Sequence, residues 1–228
     1  MQKILLTALV AGFVAGITSF AIQQVKLSPL ILHAEVYEEA AAKTEESHAN
    51  SEHQHEEEAW ESENGFERNA YCALADVGVG VGYALLLVGV IILSGDKVNL
   101  QKGVLWGIAG FTVFSLAPAF GLSPELPGSM AADLHARQLW WLATVLATAG
   151  GLYLIAFAKA NIWKIVGIAI ITLPHIIGAP ETETLGGSVP PELNAIFASA
   201  SLGVAAIFWL VLGAISGFMY ERVHKQSR

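Results

Sequence analysis

The residues best suited to bind a metal ion are concentrated in one stretch of the sequence, between Glu35 and Glu67. That stretch holds twelve of the twenty carboxylates. The nearby histidines are His33, just ahead of it, and His48, His53 and His55 within it. Imidazoles and carboxylates together suit divalent cobalt, nickel, copper or zinc. The stretch therefore predicts a segment that gathers metal, and a solvated acidic run that binds no ion is the alternative interpretation.

The rest of the chain is apolar enough to lie in a membrane. Hydrophobic residues make up 54% of the sequence and charged residues only 14%, and a helix needs roughly 20 apolar residues to cross a bilayer. Six runs approach that length: Ile4–Ile22, Ala70–Leu93, Gly103–Phe120, Gln138–Phe157, Ile162–Gly178 and Ala195–Met219. We therefore expect an all-α, polytopic membrane helical bundle of about six transmembrane helices.

The first apolar run allows two interpretations. Lys3 followed by apolar and small residues is also typical of a secretory signal peptide, whose removal would leave five transmembrane helices. The run is long for such a peptide and lacks a clean Ala-x-Ala ending, which favours a retained helix. The acidic loop lies on the same side of the membrane in either case.

The positions of the basic residues predict the orientation. Most Lys and Arg fall near the short loops after the second and fourth runs and in the tail, which lie on one side of a six-helix protein and mark the cytoplasmic side. The predicted parts are a first helix over 1–25, an extracytoplasmic acidic, His-rich loop over 26–69, a five-helix bundle over 70–220 and a basic cytoplasmic tail over 221–228. We expect a multi-pass protein of the bacterial cytoplasmic membrane with both termini in the cytoplasm.

Asp76 and His175 lie well inside the apolar runs, where ionisable residues are rare and often functional. Asp76 lies about two turns below the outer end of the second run, and His175 about one turn from the outer end of the fifth. Glu181 could complete a site with His175. The alternatives are a hydrogen bond from a neighbouring helix to Asp76 and an interfacial position for His175. Asp133 and Arg137 are four residues apart, which predicts an ion pair on a helix surface.

Several kinds of function are disfavoured by what the sequence lacks. Cys72 is the single cysteine, so an intrachain disulfide is impossible. The chain has no phosphate-binding loop and no His-Glu-x-x-His motif. We therefore expect no enzymatic activity, no tightly bound cofactor and no nucleic-acid partner. The expected partners are membrane lipid and a divalent metal ion.

A proline-rich block and several shorter segments resemble one known family. They are Leu5-Thr7-Ala8 to Ala15-Gly16, Pro29-Leu30-Ile31, Ala34 to Glu38, Gly103–Phe114, Leu116 to Gly128, Ala132-Asp133-Leu134, Arg137-Gln138, Trp140-Trp141, Leu173-Pro174-His175 and Gly178-Ala179-Pro180. On these segments the chain resembles the CbtA family of bacterial cobalt transporter subunits over nearly its whole length. The block from Leu116 to Gly128 is the most specific of them.

The resemblance implies import of cobalt for corrinoid (cobalamin) biosynthesis, beside a small single-span companion subunit, CbtB-like, that carries histidines. The Glu/His-rich insert over Glu45–Glu63 departs from the shared pattern, so it is expected to assist capture without forming the essential site. The candidate metal ligands are His33, Glu35, Glu38, His53, His55, Asp76, Glu125, His175 and Glu181.

The sequence thus predicts a membrane subunit that captures cobalt on the outer face and moves it inward. Nickel or zinc transport by the same residues is an alternative, because the ligand preferences of these metals overlap. A membrane protein that binds metal for sensing or assembly, without transporting it, is a second alternative.

Overall fold

Seven helices make up the part of the chain that the computed structural model describes, residues 2–48, 65–95, 97–182 and 187–225. They are α1 (Gln2–Lys26), α2 (Ser28–His48), α3 (Phe66–Ser94), α4 (Leu100–Ala119), α5 (Leu134–Phe157), α6 (Asn161–Ile177) and α7 (Pro191–Lys225). No strand occurs in these residues, apart from an isolated bridge between Ser129 and Gly187. The prediction of an all-α polytopic bundle is confirmed.

Five of these helices, α1, α3, α4, α5 and α7, are long and apolar enough to cross a membrane. The fifth predicted run corresponds to α6, which is apolar but has 17 residues, or about 25 Å at 1.5 Å per residue. Helix boundaries follow local chemistry. The Asn99 side chain accepts a hydrogen bond from the Lys102 N–H at the start of α4, as an N-cap does. Pro29 lies at the second position of α2, where a missing N–H is tolerated.

Glycines allow the helices to approach one another closely. A Cβ built on Gly103 of α4 would lie 2.7 Å from the Cα of Gly217 on α7, and one on Gly16 of α1 would lie 2.7 Å from the Cα of Val77 on α3. Small residues at such positions are typical of membrane helix packing. Gly82, in contrast, has nothing within 4 Å of the same hypothetical atom, so the glycine run in α3 packs through only some of its members.

One end of the bundle carries a covering layer, which we call the cap. It consists of α2, the loop over 120–133 and the described part of the loop over 178–190. Its apolar centre is formed by four buried side chains: Ala34, Leu126, Val189 and Leu193. α1, α4 and α6 end at the cap, and α3, α5 and α7 begin there. The cap therefore places side chains that are far apart in sequence over one end of the bundle.

Candidate metal-handling site

Glu35 is held by a bidentate ion pair at the junction of α2 and α3. The Arg68 guanidinium donates from Nη2 to Oε1 at 2.7 Å and from Nη1 to Oε2 at 3.4 Å. Both side chains are about one-third exposed, at 30% and 32%. Two neighbouring candidates share α2: the ring of His33 contacts that of Tyr37 at 5.4 Å, and both His33 and Glu38 are exposed. Candidate carboxylate and imidazole ligands therefore lie on α2, with one carboxylate neutralised by arginine.

Glu38 faces the loop that carries Glu125. A Cβ built on Gly128 would lie 3.5 Å from the Glu38 Cβ, so α2 lies directly against this loop. Glu125 is itself paired with Arg137 of α5, with Nη2 3.0 Å from Oε2. A groove of about 1070 Å³ lies beneath the loop, and Glu125 and Arg137 both line it.

The predicted ion pair between Asp133 and Arg137 is wrong. Asp133 is the N-cap of α5, and its carboxylate accepts a hydrogen bond from the Ala136 N–H at 2.9 Å. Arg137 turns instead to Glu125. The N-cap position favours Asp because its carboxylate satisfies an otherwise unpaired N–H in the first turn.

Asn194 holds the loop that carries Glu125. Its Oδ1 accepts hydrogen bonds from the Leu126 N–H at 3.2 Å and from the Ser129 hydroxyl at 3.0 Å. These contacts connect the start of α7 to the loop on both sides of Pro127. The backbone next to Glu125 is therefore fixed by a residue 68 positions away in the sequence.

Asp76 is a residue of α3 and accepts hydrogen bonds from an amide on α1. Gln23 Nε2 donates to Oδ1 at 2.9 Å and to Oδ2 at 3.0 Å, and the same nitrogen lies 2.9 Å from the Ser19 hydroxyl. The interpretation of Asp76 as an acceptor from a neighbouring helix is therefore confirmed.

His175 lies on α6 and faces a cavity between α4, α5 and α6. Its ring stands edge-on to Trp140 at 5.8 Å and to Phe120 at 6.1 Å. The Trp140 indole N–H donates to the Pro174 carbonyl at 3.3 Å, which fixes Trp140 beside the histidine. The cavity has a volume of about 460 Å³ and extends to Thr148.

Residues 1–221 match the family model described as a probable cobalt transporter subunit, CbtA. The chain belongs to the CbtA family. Neither a curated protein nor a solved structure matches it. The family description makes the chain a membrane protein that acts as a subunit of a transporter, with cobalt as the transported ion. It lends no support to nickel or zinc transport, or to the sensing alternative.

The structure of this CbtA protein distributes the candidate ligands over several places. Asp76 lies on α3, which packs against α1, α4 and α7, whereas His175 lies on α6, whose main contact is α5. Glu181 is exposed on the loop after α6. Within the described residues, no group of three or more His, Cys, Asp or Glu side chains converges to hold a metal ion. His53 and His55 lie outside the described residues.

Sequence reasoning missed the partners that orient the candidates in this CbtA protein. Arg68 and Arg137 each neutralise a candidate carboxylate. Trp140 belongs to the segments that carry the family resemblance, and its side chain packs on His175. The available signal for Arg68 was its position directly after an acidic segment, but the pairing requires a fold that brings α2 onto α3.

Proposed function

We propose that this chain takes up divalent cobalt across the bacterial cytoplasmic membrane and moves it from the outer face to the cytoplasm. The observation that carries the proposal is the match of residues 1–221 to a family of cobalt transporter subunits. Cobalt is then the cargo and undergoes no chemical conversion, so the proposal needs neither an enzymatic step nor a resident cofactor.

We propose that the cap faces the outside and that both termini lie in the cytoplasm. Bases are frequent at the opposite end of the bundle: Lys97, Lys102, Lys159, Lys164, Arg222 and Lys225. The loops of the cap contain no Lys or Arg over 120–133 or over 178–190. Lys and Arg are enriched in cytoplasmic loops of membrane proteins, which supports this orientation.

Capture would begin at the acidic segment and at α2. The proposed receiving residues are His33, Glu35, Glu38, His53 and His55. A concentration of carboxylates attracts divalent cations and raises their local concentration. Imidazole nitrogen then favours a transition metal over calcium or magnesium, which prefer oxygen ligands.

The two arginine pairs provide the proposed exchange step of capture. Glu35 and Glu125 are each neutralised by one guanidinium, and each carboxylate side chain is about one-third exposed, at 32% and 31%. Fully exposed ion pairs contribute about 1 kcal/mol or less, and bidentate geometry such as that of Arg68 on Glu35 raises this figure. We propose that a doubly charged ion replaces the guanidinium on either carboxylate, since part of each pair is open to solvent.

From the cap, the ion would pass by Glu125 and Glu181 to His175. Asp76 is proposed as a separate place for a cation, since it lies beside Gln23 on another side of the bundle. The membrane potential would drive the movement, because a doubly charged cation gains about 4.6 kcal/mol per 100 mV. We also propose that a small, single-span, His-bearing companion of the CbtB type completes the transporter.

Metal accumulation in cells tests this function. Cells that make the chain with its companion are exposed to cobalt, nickel or zinc, and the metal content is compared with that of cells that lack the chain. We expect cobalt to accumulate. No accumulation of cobalt, with or without the companion, would reject the proposal. His175→Ala serves as a variant with reduced uptake and unchanged membrane insertion.

A further inference from the structure

The groove beneath the loop over 120–133 lies between α5 and α7, two helices that make no extensive contact with each other. α7 packs closely against α4 and α1. Apart from its neighbour α6, α5 reaches the rest of the bundle mainly through residues 112–119 of α4. The α5–α6 pair is therefore attached to the other helices near the cap, and the groove occupies the space beside that attachment.

The loop above the groove belongs to the segment by which the chain most resembles its family. Nine residues of the block from Leu116 to Gly128 line the groove, and Asn194 of α7 holds the backbone on both sides of Pro127. The family description as a transporter subunit means that the chain works with at least one partner chain. A surface built from the family-specific block is therefore the first place to look for that partner.

The lining of the groove suits a membrane helix better than an ion. Most of it is apolar, as at Leu142 and Ala205, and its single carboxylate, Glu125, is already paired with arginine. The side chains of Ser115 and Gln138 also line it, and neither makes a hydrogen bond among the described residues. Amides and hydroxyls of this kind connect membrane helices through hydrogen bonds.

The size of the groove fits a short length of helix. A helix about 10 Å in diameter, with a pitch of about 5.4 Å, occupies about 420 Å³ per turn. The groove volume of about 1070 Å³ therefore accommodates roughly two and a half turns. An acyl chain would fill the apolar part equally well, but it offers no hydrogen bond to the Gln138 amide.

From these observations we infer that the groove binds the transmembrane helix of the companion subunit. The helix would lie between α5 and α7 near the cap, with an apolar face in the groove and a polar side chain opposite Gln138. The inference rests on the proposed companion and adds the place where it binds. The companion would then lie beside Glu125, one of the proposed cobalt ligands.

Site-specific photo-crosslinking in membranes tests this position. Leu142 or Ala143 is replaced by a short photoreactive diazirine amino acid, and the chain is produced together with an epitope-tagged companion. Leu142 lines the groove, and its side chain is 47% exposed. Ala143 is exposed at the same depth, but it lies about 100° further around α5 and does not line the groove.

We expect an adduct with the companion at position 142 and at least tenfold less at position 143. No companion adduct at position 142, or equal adducts at both positions, would overturn the inference. An adduct at position 142 with lipid only, or with a second copy of the chain only, would also overturn it. The adduct forms without cobalt, so loss of wild-type cobalt uptake with an intact adduct would reject the proposed function and leave the binding site standing.

Retention of the companion during purification tests the polar contact. Gln138→Leu should lower the retained amount by about threefold, the scale of one hydrogen bond between membrane helices. Gln101→Leu is the matched control, because Gln101 is an exposed amide in the first turn of α4, at the opposite end of the bundle. Equal retention by the two variants would overturn the role of Gln138.

Discussion

The Arg68 guanidinium binds both carboxylate oxygens of Glu35, with Nη2 2.7 Å from Oε1 and Nη1 3.4 Å from Oε2. This pair connects the cap helix α2 to the first turn of α3. It also means that a candidate ligand for cobalt already has a cation beside it. Removal of Glu35 therefore takes away negative charge that could attract a metal ion, whereas removal of Arg68 makes that negative charge available.

We predict that Glu35→Gln raises the cobalt concentration required for half-maximal uptake, because a charged ligand is lost. Arg68→Gln should lower that concentration, because the competing cation is lost. Both variants should also lose about 1 kcal/mol of folding stability, because the pair is bidentate but partly exposed. Uptake kinetics over a range of cobalt concentrations provide the measurement. A shift in the same direction for both variants would mean that the pair acts only as a structural link.

Gln23 and Asp76 should be energetically coupled. Gln23→Leu removes the amide that donates to both oxygens of Asp76, and leaving this partly buried acceptor without its donor costs about 1 kcal/mol. Replacing both residues by Leu should be less harmful than the sum of the single changes. Thermal unfolding of the purified variants measures this coupling. Strict additivity would show that the hydrogen bond contributes nothing specific.

Helix packing through glycine gives a prediction with a matched control. Gly103→Ala places a methyl group 2.7 Å from the Gly217 Cα, and overpacking of this kind costs about 1–3 kcal/mol. Gly82→Ala adds the same group where nothing lies within 4 Å. We expect a lower melting temperature for the first variant only. Equal melting temperatures would contradict the close packing of α4 against α7.

The proposed orientation predicts the accessibility of Cys72. This exposed residue lies six positions after the start of α3 at the cap end, or about 9 Å along the helix. A membrane-impermeant maleimide should label it in intact cells, and Cys72→Ser should abolish the labelling. Labelling that occurs only after the membrane is permeabilised would place the cap in the cytoplasm and reverse the proposed direction of transport.

The helices were predictable from the sequence because the bilayer dictates their length and composition. The apolar run from Ala70 to Leu93 falls inside α3, and the run from Gln138 to Phe157 falls inside α5. The break near Pro29 follows equally from the missing N–H of proline. These features depend on local sequence alone.

The contacts between helices were not predictable in the same way. Gln23 lies 53 residues from Asp76, and nothing in either segment specifies that they meet. Spacing of four residues suggested that Asp133 pairs with Arg137, but a helix N-cap and a carboxylate 12 residues earlier satisfy these two side chains instead. Sequence periodicity identifies which face of a helix is apolar, but the choice of partner depends on the packing of the whole bundle.

Cobalt influx into sealed vesicles that contain the purified chain and its companion is the most direct test of the central claim. The vesicles carry an imposed potential that is negative on the cytoplasmic side, and cobalt is added at the cap side. The account predicts influx that rises with the potential and falls strongly in His175→Ala. Vesicles in which cobalt enters no faster than into protein-free controls, at any potential, would contradict it.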